Sequence, residues 1–74
     1  MSPNKIKAKR VLKGFTQSQV AELLKMKSQT YMLKEKGKST FTDSEKISLA
    51  IALELTLQDV NEIFFDGLLP NGKQ

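Results

Sequence analysis

The 74-residue sequence has no cysteine, no histidine and no tryptophan. The absence of cysteine excludes disulfide bonds and thiolate zinc sites. The absence of histidine removes the side chain that most often serves as a general base or as a transition-metal ligand. A chain of this length forms one domain with one small core, and its apolar residues are needed to pack that core rather than to line a deep cleft. A binding protein without metal or other cofactor is therefore favoured over an enzyme.

Targeting and membrane segments are also missing from the sequence. No apolar stretch of about 7–15 residues lies near the N-terminus, as a signal peptide requires. No run approaches the roughly 20 apolar residues of a membrane span, and the lysines do not form one face of a long amphipathic helix. We therefore expect a soluble cytoplasmic protein that does not bind membranes.

Charge is distributed unevenly along the chain. Residues 1–41 contain ten basic and two acidic side chains, a balance of +8, whereas residues 42–74 contain two basic and six acidic side chains, a balance of −4. One basic half is typical of proteins that bind a polyanion such as nucleic acid. A lysine-rich surface that serves only solubility has the same composition, so charge alone leaves both interpretations open.

Several local patterns predict helices and little else. Capping boxes, in which a threonine precedes by three residues a side chain that can reach back to it, occur at Thr16–Gln19, Thr42–Glu45 and Thr56–Asp59. Ser2 before Pro3 predicts another helix start. Apolar residues recur at helical spacing without sustained alternation. These patterns predict an all-α fold of five helices, at about 3–13, 17–24, 28–35, 43–54 and 57–65. The turn-forming residues that follow predict a flexible tail over 67–74.

The second and third predicted helices are separated only by Lys25-Met26-Lys27. Two short helices joined by such a turn match a helix-turn-helix, whose second helix lies in the major groove of DNA. Ala21 would let the helices approach closely, Met26 would fill the turn, and Tyr31 would anchor the second helix inside. The outward face of that helix would then consist of Ser28, Gln29, Met32 and Leu33, with Lys27 at its beginning.

The segment from Thr16-Gln17 through Tyr31 resembles the helix-turn-helix core of the phage Cro/repressor-like (XRE) family. The resemblance extends over about residues 5–65, through Glu35-Lys36-Gly37-Lys38 and through Ala50, Leu53 and Leu55-Thr56-Leu57. It implies a compact five-helix, lambda-repressor-like DNA-binding domain over residues 1–66, with the helix-turn-helix at about 17–35. The implied function is that of a sequence-specific transcriptional regulator, a repressor, of phage or mobile-element type.

The resemblance implies DNA contacts residue by residue. Gln29 would pair with adenine in the major groove, because an amide can donate and accept together. Leu33 would touch a thymine methyl group or pack inside, and the other base contacts would be Ser28 and Lys27. Contacts to DNA phosphates would come from Gln17, Thr30, Lys36 and Lys38. Arg10 and Glu35 would form a structural ion pair.

The sequence departs from the family pattern at four positions. Lys25 and Glu54 stand where glycine is usual at a helix end, and a positive φ at Lys25 would cost about 1 kcal/mol. Lys27 stands where a serine or threonine usually caps the recognition helix. Lys34 occupies a commonly apolar position, so we expect its stem to pack while its ammonium group reaches solvent.

Partners and alternatives follow from the same residues. The resemblance implies double-stranded DNA with a near-palindromic operator, and a homodimer through the last helix and tail. The apolar residues in excess of a small core are Ile51, Phe65, Leu68 and Leu69, and they would serve that dimer or cover the core. The alternatives are an antitoxin or a restriction-modification controller of the same fold, or a protein–protein adaptor that uses the Tyr31-Met32-Leu33 face. No small-molecule substrate is expected.

Overall fold

The computed structural model describes residues 2–67 of the chain, and this part contains five α-helices and no strand. The prediction of an all-α fold with five helices is confirmed. Of the predicted tail, residues 68–74 lie outside the described part, and Leu68 and Leu69 are among them. No helix of residues 2–67 is both long and apolar enough to cross a membrane. The helices are α1 (Pro3–Leu12), α2 (Gln17–Leu23), α3 (Ser28–Glu35), α4 (Asp43–Ala52) and α5 (Leu57–Phe64).

Three of the helices begin at the capping boxes that the sequence predicts. At the start of α2, the Gln19 N–H donates to Thr16 Oγ1 at 3.1 Å and the Thr16 N–H donates to Gln19 Oε1 at 2.8 Å. The same reciprocal bonds open α4, between Thr42 and Glu45, and α5, between Thr56 and Asp59. Each box satisfies two backbone N–H groups that a bare helix end would leave without a partner.

Helix α1 begins as the sequence predicts, with Ser2 as its N-cap residue and Pro3 as its first residue, although the Ser2 side chain makes no capping hydrogen bond. Ser2 lies in the extended conformation before Pro3, as a cap residue does, but its hydroxyl donates to the Glu62 carbonyl at 3.4 Å. Its backbone N–H donates to the Ile63 carbonyl at 2.8 Å. Because the last carbonyls of a helix have no partner within the helix, α5 attracts both donors of Ser2. The start of α1 is thereby joined to the end of α5.

Helices α1 to α4 all end in the same motif. In each, the residue after the C-cap has a left-handed backbone and the following N–H donates to a carbonyl five residues earlier, which defines a Schellman motif. The left-handed residues are Gly14 (φ 80°), Lys25 (φ 59°), Gly37 (φ 84°) and Glu54 (φ 54°). The closing bonds are Phe15 to Arg10, Met26 to Ala21, Lys38 to Leu33 and Leu55 to Ala50. The motif ends α1, α2 and α4 one or two residues before the predicted ends.

The core contains side chains from all five helices and from the loop before α4. Tyr31 of α3 belongs to this core and has no exposed surface. The centroid of its ring lies 6.2 Å from the centroid of the Phe41 ring. Ala21 is buried where α2 packs on α3, and Met26 packs against the core from the turn. These positions match those predicted for the two helices. The buried apolar residues are Ile6, Val20, Ala21, Tyr31, Phe41, Leu49, Leu53, Ile63 and Phe64.

The turn between α2 and α3 is strained at Lys25, and replacing this residue with glycine should stabilise the protein. A left-handed backbone costs a residue with a Cβ atom about 1 kcal/mol or more, but it costs glycine little. We expect Lys25→Gly to raise the free energy of unfolding by about 1 kcal/mol in urea denaturation. Lys25→Ala is the matched control, since it removes the same charge and keeps the strain. An equal gain in both variants would show that charge is responsible.

Candidate nucleic-acid interface

Helix α3 has a buried side and an exposed side. Tyr31 and Glu35 point inward, with 0% and 3% of their surface exposed. Ser28, Gln29 and Thr30 are exposed, and Leu33 is 38% exposed. The helix therefore presents polar groups and one leucine to solvent along its outer side, largely as the sequence predicts.

The Tyr31-Met32-Leu33 face that a protein–protein adaptor would use is mostly buried. Met32 is only half-exposed, and Tyr31 is fully buried. Tyr31, Met32 and Leu33 therefore do not form one exposed apolar surface on this helix. The prediction of a protein–protein adaptor that uses this surface is wrong in that respect. The reason is helical periodicity: Tyr31 precedes Glu35 by one turn, and both lie on the side of α3 that faces α1 and α2.

A hydrogen-bonded network around Glu35 joins the first three helices. Arg10 of α1 donates from Nε to Glu35 Oε2 at 2.8 Å and from Nη2 to Glu35 Oε1 at 3.3 Å. The Tyr31 hydroxyl donates to Glu35 Oε2 at 2.7 Å, and Gln17 Nε2 of α2 donates to Glu35 Oε1 at 2.9 Å. Arg10 also reaches the Phe15 carbonyl from Nη1, at 2.8 Å. The structure thus brings Arg10 and Glu35 together in a buried, two-bonded ion pair.

The network determines the protonation of its members. Burial alone would raise the pKa of the Glu35 carboxyl, but hydrogen bonds from Arg10, Gln17 and Tyr31 and the charge of Arg10 outweigh burial and lower it. Burial, together with the hydrogen bond to Glu35, raises the pKa of the Tyr31 hydroxyl. Glu35 is therefore ionised and Tyr31 is neutral near neutral pH, which is the pairing that the observed donors and acceptors require.

Gln17 is held by the network while remaining half-exposed. Its amide nitrogen has two hydrogens, and only one of them is used by Glu35. The second hydrogen is therefore available for a ligand, and the bond to Glu35 orients it. Gln17 was predicted to contact a DNA phosphate, and its donor is consistent with that role, although Glu35 was not foreseen as the group that positions it.

The other predicted contact residues lie at the two ends of α3 and on its outer side. Lys27 precedes the helix as an N-cap residue without a side-chain capping bond, and Ser28 Oγ donates to Ser18 Oγ of α2 at 3.0 Å. Gln29 and Thr30 follow in the first turn, exposed. Lys36 and Lys38 are exposed directly after the helix. Basic side chains therefore flank both ends of an exposed polar helix face.

Ion pairs divide the basic residues of the first half into two groups. The paired group binds acids of the second half or of α3. Its members are Lys9 with Asp59 (3.3 Å), Arg10 with Glu35, Lys13 with Glu54, and Lys34 with Glu45 (2.5 Å). Within residues 2–67, no carboxylate lies within 4.0 Å of the other group, which is Lys5, Lys7, Lys25, Lys27, Lys36 and Lys38. Pairing therefore concentrates the free positive charge at the start of α1 and at both ends of α3.

Lys34 differs from its prediction in one respect. Its stem was expected to pack and its ammonium group to reach solvent. The side chain is half-buried as expected, but its ammonium group donates to Glu45 of α4 at 2.5 Å. The hydrogen bonds from Lys34 and from the Thr42 backbone lower the pKa of the Glu45 carboxyl. One glutamate therefore serves both the capping box of α4 and the attachment of α3 to α4.

A polar cleft of about 260 Å³ lies beside the network, between the start of α1, the start of α2 and the end of α3. It is lined by Pro3, Asn4, Lys7, Gln17, Glu35 and Lys36. Lys7 was not among the predicted contact residues. Its spacing offered a signal, because Lys7 and Arg10 are three residues apart and share a side of α1. Glu35 and Lys36 are adjacent in the sequence. The side of α1 that brings Arg10 to Glu35 is therefore expected to bring Lys7 near Lys36.

Within residues 2–67, no group of three or more histidine, cysteine, aspartate or glutamate side chains could hold a metal ion. The chemistry available at the outer side of α3 consists of amide, hydroxyl and ammonium groups. Such groups form hydrogen bonds and neutralise charge, which suits recognition of an anionic partner.

The stability of the protein should fall in acid because Glu35 must become protonated. Its pKa lies below the ordinary value of 4.5 in the folded protein, so its contribution is complete above pH 4.5 and is lost as the pH falls through the folded pKa. We expect the free energy of unfolding to decrease between pH 5 and pH 3. At pH 7, Glu35→Gln should lower the free energy of unfolding by roughly 3 kcal/mol, because a buried Arg10 loses its counter-ion. On acidification, the free energy of unfolding of this variant should fall less than that of the wild-type protein.

Urea denaturation of the wild-type protein and of the variant at pH 7, pH 5 and pH 3 measures this effect. Glu22→Gln is the control, since Glu22 is exposed and has no ion pair within the described residues. An acid response of Glu35→Gln as large as that of the wild-type protein would contradict the assignment.

Comparison of the chain with protein-family models, with curated proteins and with solved structures found no match. What the protein binds is therefore inferred from its own surface.

Proposed function

We propose that this protein is a sequence-specific DNA-binding transcriptional regulator, a repressor of phage or mobile-element type, that places α3 in the major groove. The observation that supports this proposal is the exposed polar side of α3 between two sets of lysines that have no carboxylate within 4.0 Å among residues 2–67. The resemblance of the sequence to the Cro/repressor-like family agrees with it. The residues that would be required for recognition are hydrogen-bonding and cationic, and no bond-making chemistry is needed.

The dimensions of α3 suit the major groove. Eight residues at 1.5 Å each make a helix about 12 Å long, and the groove is about 12 Å wide. A helix laid in the groove approaches the two phosphate backbones with its ends, and Lys25 and Lys27 lie before α3 while Lys36 and Lys38 follow it. The positive charge is therefore at the two positions where phosphates would be closest.

Each exposed residue has a distinct proposed role. Gln29 is in the first turn and would read adenine through its amide. Ser28 and Lys27, which lie beside it, would contact neighbouring bases. Leu33 is one turn further on and partly exposed, so it would touch a thymine methyl group. Phosphate contacts would come from Gln17, Thr30, Lys36 and Lys38, and these contacts set position and affinity rather than sequence.

A second copy of the chain would complete the regulator. An exposed apolar groove of about 590 Å³ runs between α4 and α5, where Ile47, Ile51 and Leu57 are 63%, 73% and 89% exposed and Phe65 borders them. Asp43 and Lys46 lie on the same groove, so its charges can complement those of an identical copy across a two-fold axis. Two copies would place two recognition helices about 34 Å apart on a near-palindromic operator, and bound there they would block a promoter.

Replacing Gln29 with alanine should reduce discrimination between DNA sequences. The preferred site is first obtained by selecting bound sequences from random DNA, and affinities for that site and for random DNA are then compared at one salt concentration. We expect Gln29→Ala to lower the affinity ratio by about 10-fold, since a good bidentate contact discriminates by about 1–3 kcal/mol. Gln58→Ala, a change of the same type on α5, should leave the ratio unchanged. An unaltered ratio in Gln29→Ala would remove this residue from the base contacts.

Replacing Lys38 with alanine should weaken binding to all DNA sequences alike. Each neutralised phosphate contributes about one unit to the slope of log affinity against log salt. We expect the slope, measured between 50 and 200 mM salt, to decrease by about one unit in Lys38→Ala. Lys13→Ala is the control, because Lys13 is paired with Glu54. A wild-type affinity that hardly responds to salt would contradict DNA binding and would favour an apolar partner.

A further inference from the structure

We propose that the cleft between α1, α2 and the end of α3 binds one phosphodiester group of the DNA backbone, and that Lys7 of α1 is a phosphate-contacting residue. This inference rests on the proposed function and deepens it. It adds a third helix to the interface, because the contacts considered so far come from α2, α3 and the residues that follow α3.

The first argument is the charge of the cleft. Lys7 and Lys36 both line it, and neither has a carboxylate within 4.0 Å in the described part of the chain. On the same helix, Lys9 and Lys13 are both paired with acids of the second half. Two lysines that line one cleft and have no carboxylate partner in residues 2–67 bring like charges to the same site, and an anion bound between them would be attracted by both.

The second argument is that Glu35 does not make the cleft unfavourable for an anion. Its carboxylate lines the cleft, but it accepts two hydrogen bonds from Arg10, one from Tyr31 and one from Gln17. Arg10 also neutralises its charge. The net charge around the cleft is therefore that of Lys7 and Lys36.

The third argument is the hydrogen-bond donor that Gln17 provides in the lining of the cleft. Gln17 lines it, and one amide hydrogen of Gln17 is fixed on Glu35. The geometry of the amide directs the other hydrogen away from Glu35, so the side chain offers an oriented donor that loses little freedom when it binds a ligand. Two cations and one positioned neutral donor are a suitable set for the two non-bridging oxygens of a phosphodiester.

The lining also indicates which part of the DNA would occupy the cleft. None of its six residues is aromatic, so it has no surface on which a base would stack. Its charged donors are ammonium groups rather than the planar fork of an arginine, and the Gln17 amide, which is bonded to Glu35, is not free to pair with a base edge through both of its polar atoms. The cleft would therefore bind backbone and not sequence, and by holding one phosphate it would fix the position of α3 in the groove.

Two lysines of α1 provide a matched test. Lys5 and Lys7 are both exposed and both unpaired within residues 2–67, but only Lys7 lines the cleft. Lys5→Ala and Lys7→Ala therefore remove the same charge from the same helix. DNA affinity is measured by fluorescence anisotropy with a random duplex between 50 and 200 mM salt, after circular dichroism has shown that each variant unfolds at the wild-type temperature.

We expect the salt slope to decrease by about one unit in Lys7→Ala and to stay at the wild-type value in Lys5→Ala. Lys7→Arg should retain the wild-type slope, because it keeps the charge. If Lys5→Ala and Lys7→Ala lower the slope equally, general attraction explains the effect and the cleft site is overturned. A wild-type slope in Lys7→Ala overturns it as well. If the wild-type protein does not bind the duplex even at 50 mM salt, the proposed function itself fails.

Discussion

The proposed DNA interface depends on the four hydrogen bonds that the Glu35 carboxylate accepts. Two come from Arg10 of α1, one from Tyr31 of α3 and one from Gln17 of α2, so one buried charge determines how three helices meet. Removing one partner of a buried ion pair typically costs 3–5 kcal/mol, a large share of the stability of so small a domain. Because Tyr31 and Glu35 must point inward to form these bonds, Gln29 and Leu33, which lie on the opposite side of α3, must point outward. The proposed recognition surface is thus a consequence of the network behind it.

A second consequence concerns charge. The acidic half of the chain pairs with Lys9, Lys13 and Lys34, and these pairs join α1 and α3 to the helices of the second half. The cations that remain without a carboxylate in residues 2–67 lie around α3 and the start of α1. A net charge of +4 therefore understates the field at the proposed DNA surface, where opposite charges do not offset the lysines. The proposed phosphate cleft at Lys7 and Lys36 lies within that surface.

The beginnings and ends of the helices differ in how well they can be predicted, and the difference has a physical cause. A capping box involves residues three positions apart, so the starts of α2, α4 and α5 follow from the local sequence. The ends of α2 and α4 depend on Lys25 and Glu54, which have a left-handed backbone that neither residue favours by itself. Packing of the flanking helices imposes it. Ser2 shows the same limit at a helix start, because its hydroxyl and its N–H donate to carbonyls of α5, about sixty residues away, while its side chain accepts no capping bond from α1.

The local sequence pattern was sufficient to predict the five helices, the all-α class and the buried side of α3, because helical periodicity and capping act within a few residues. The resemblance to a known family also suggested the pairing of Arg10 with Glu35. Tertiary structure alone decided which lysines would be neutralised, that Glu35 would orient Gln17, and that Gln17 would line one cleft with Lys7. These features join side chains that are 10 to 50 residues apart in the sequence. Their contacts arise from how the helices cross, and the pattern within a single helix has no information about that.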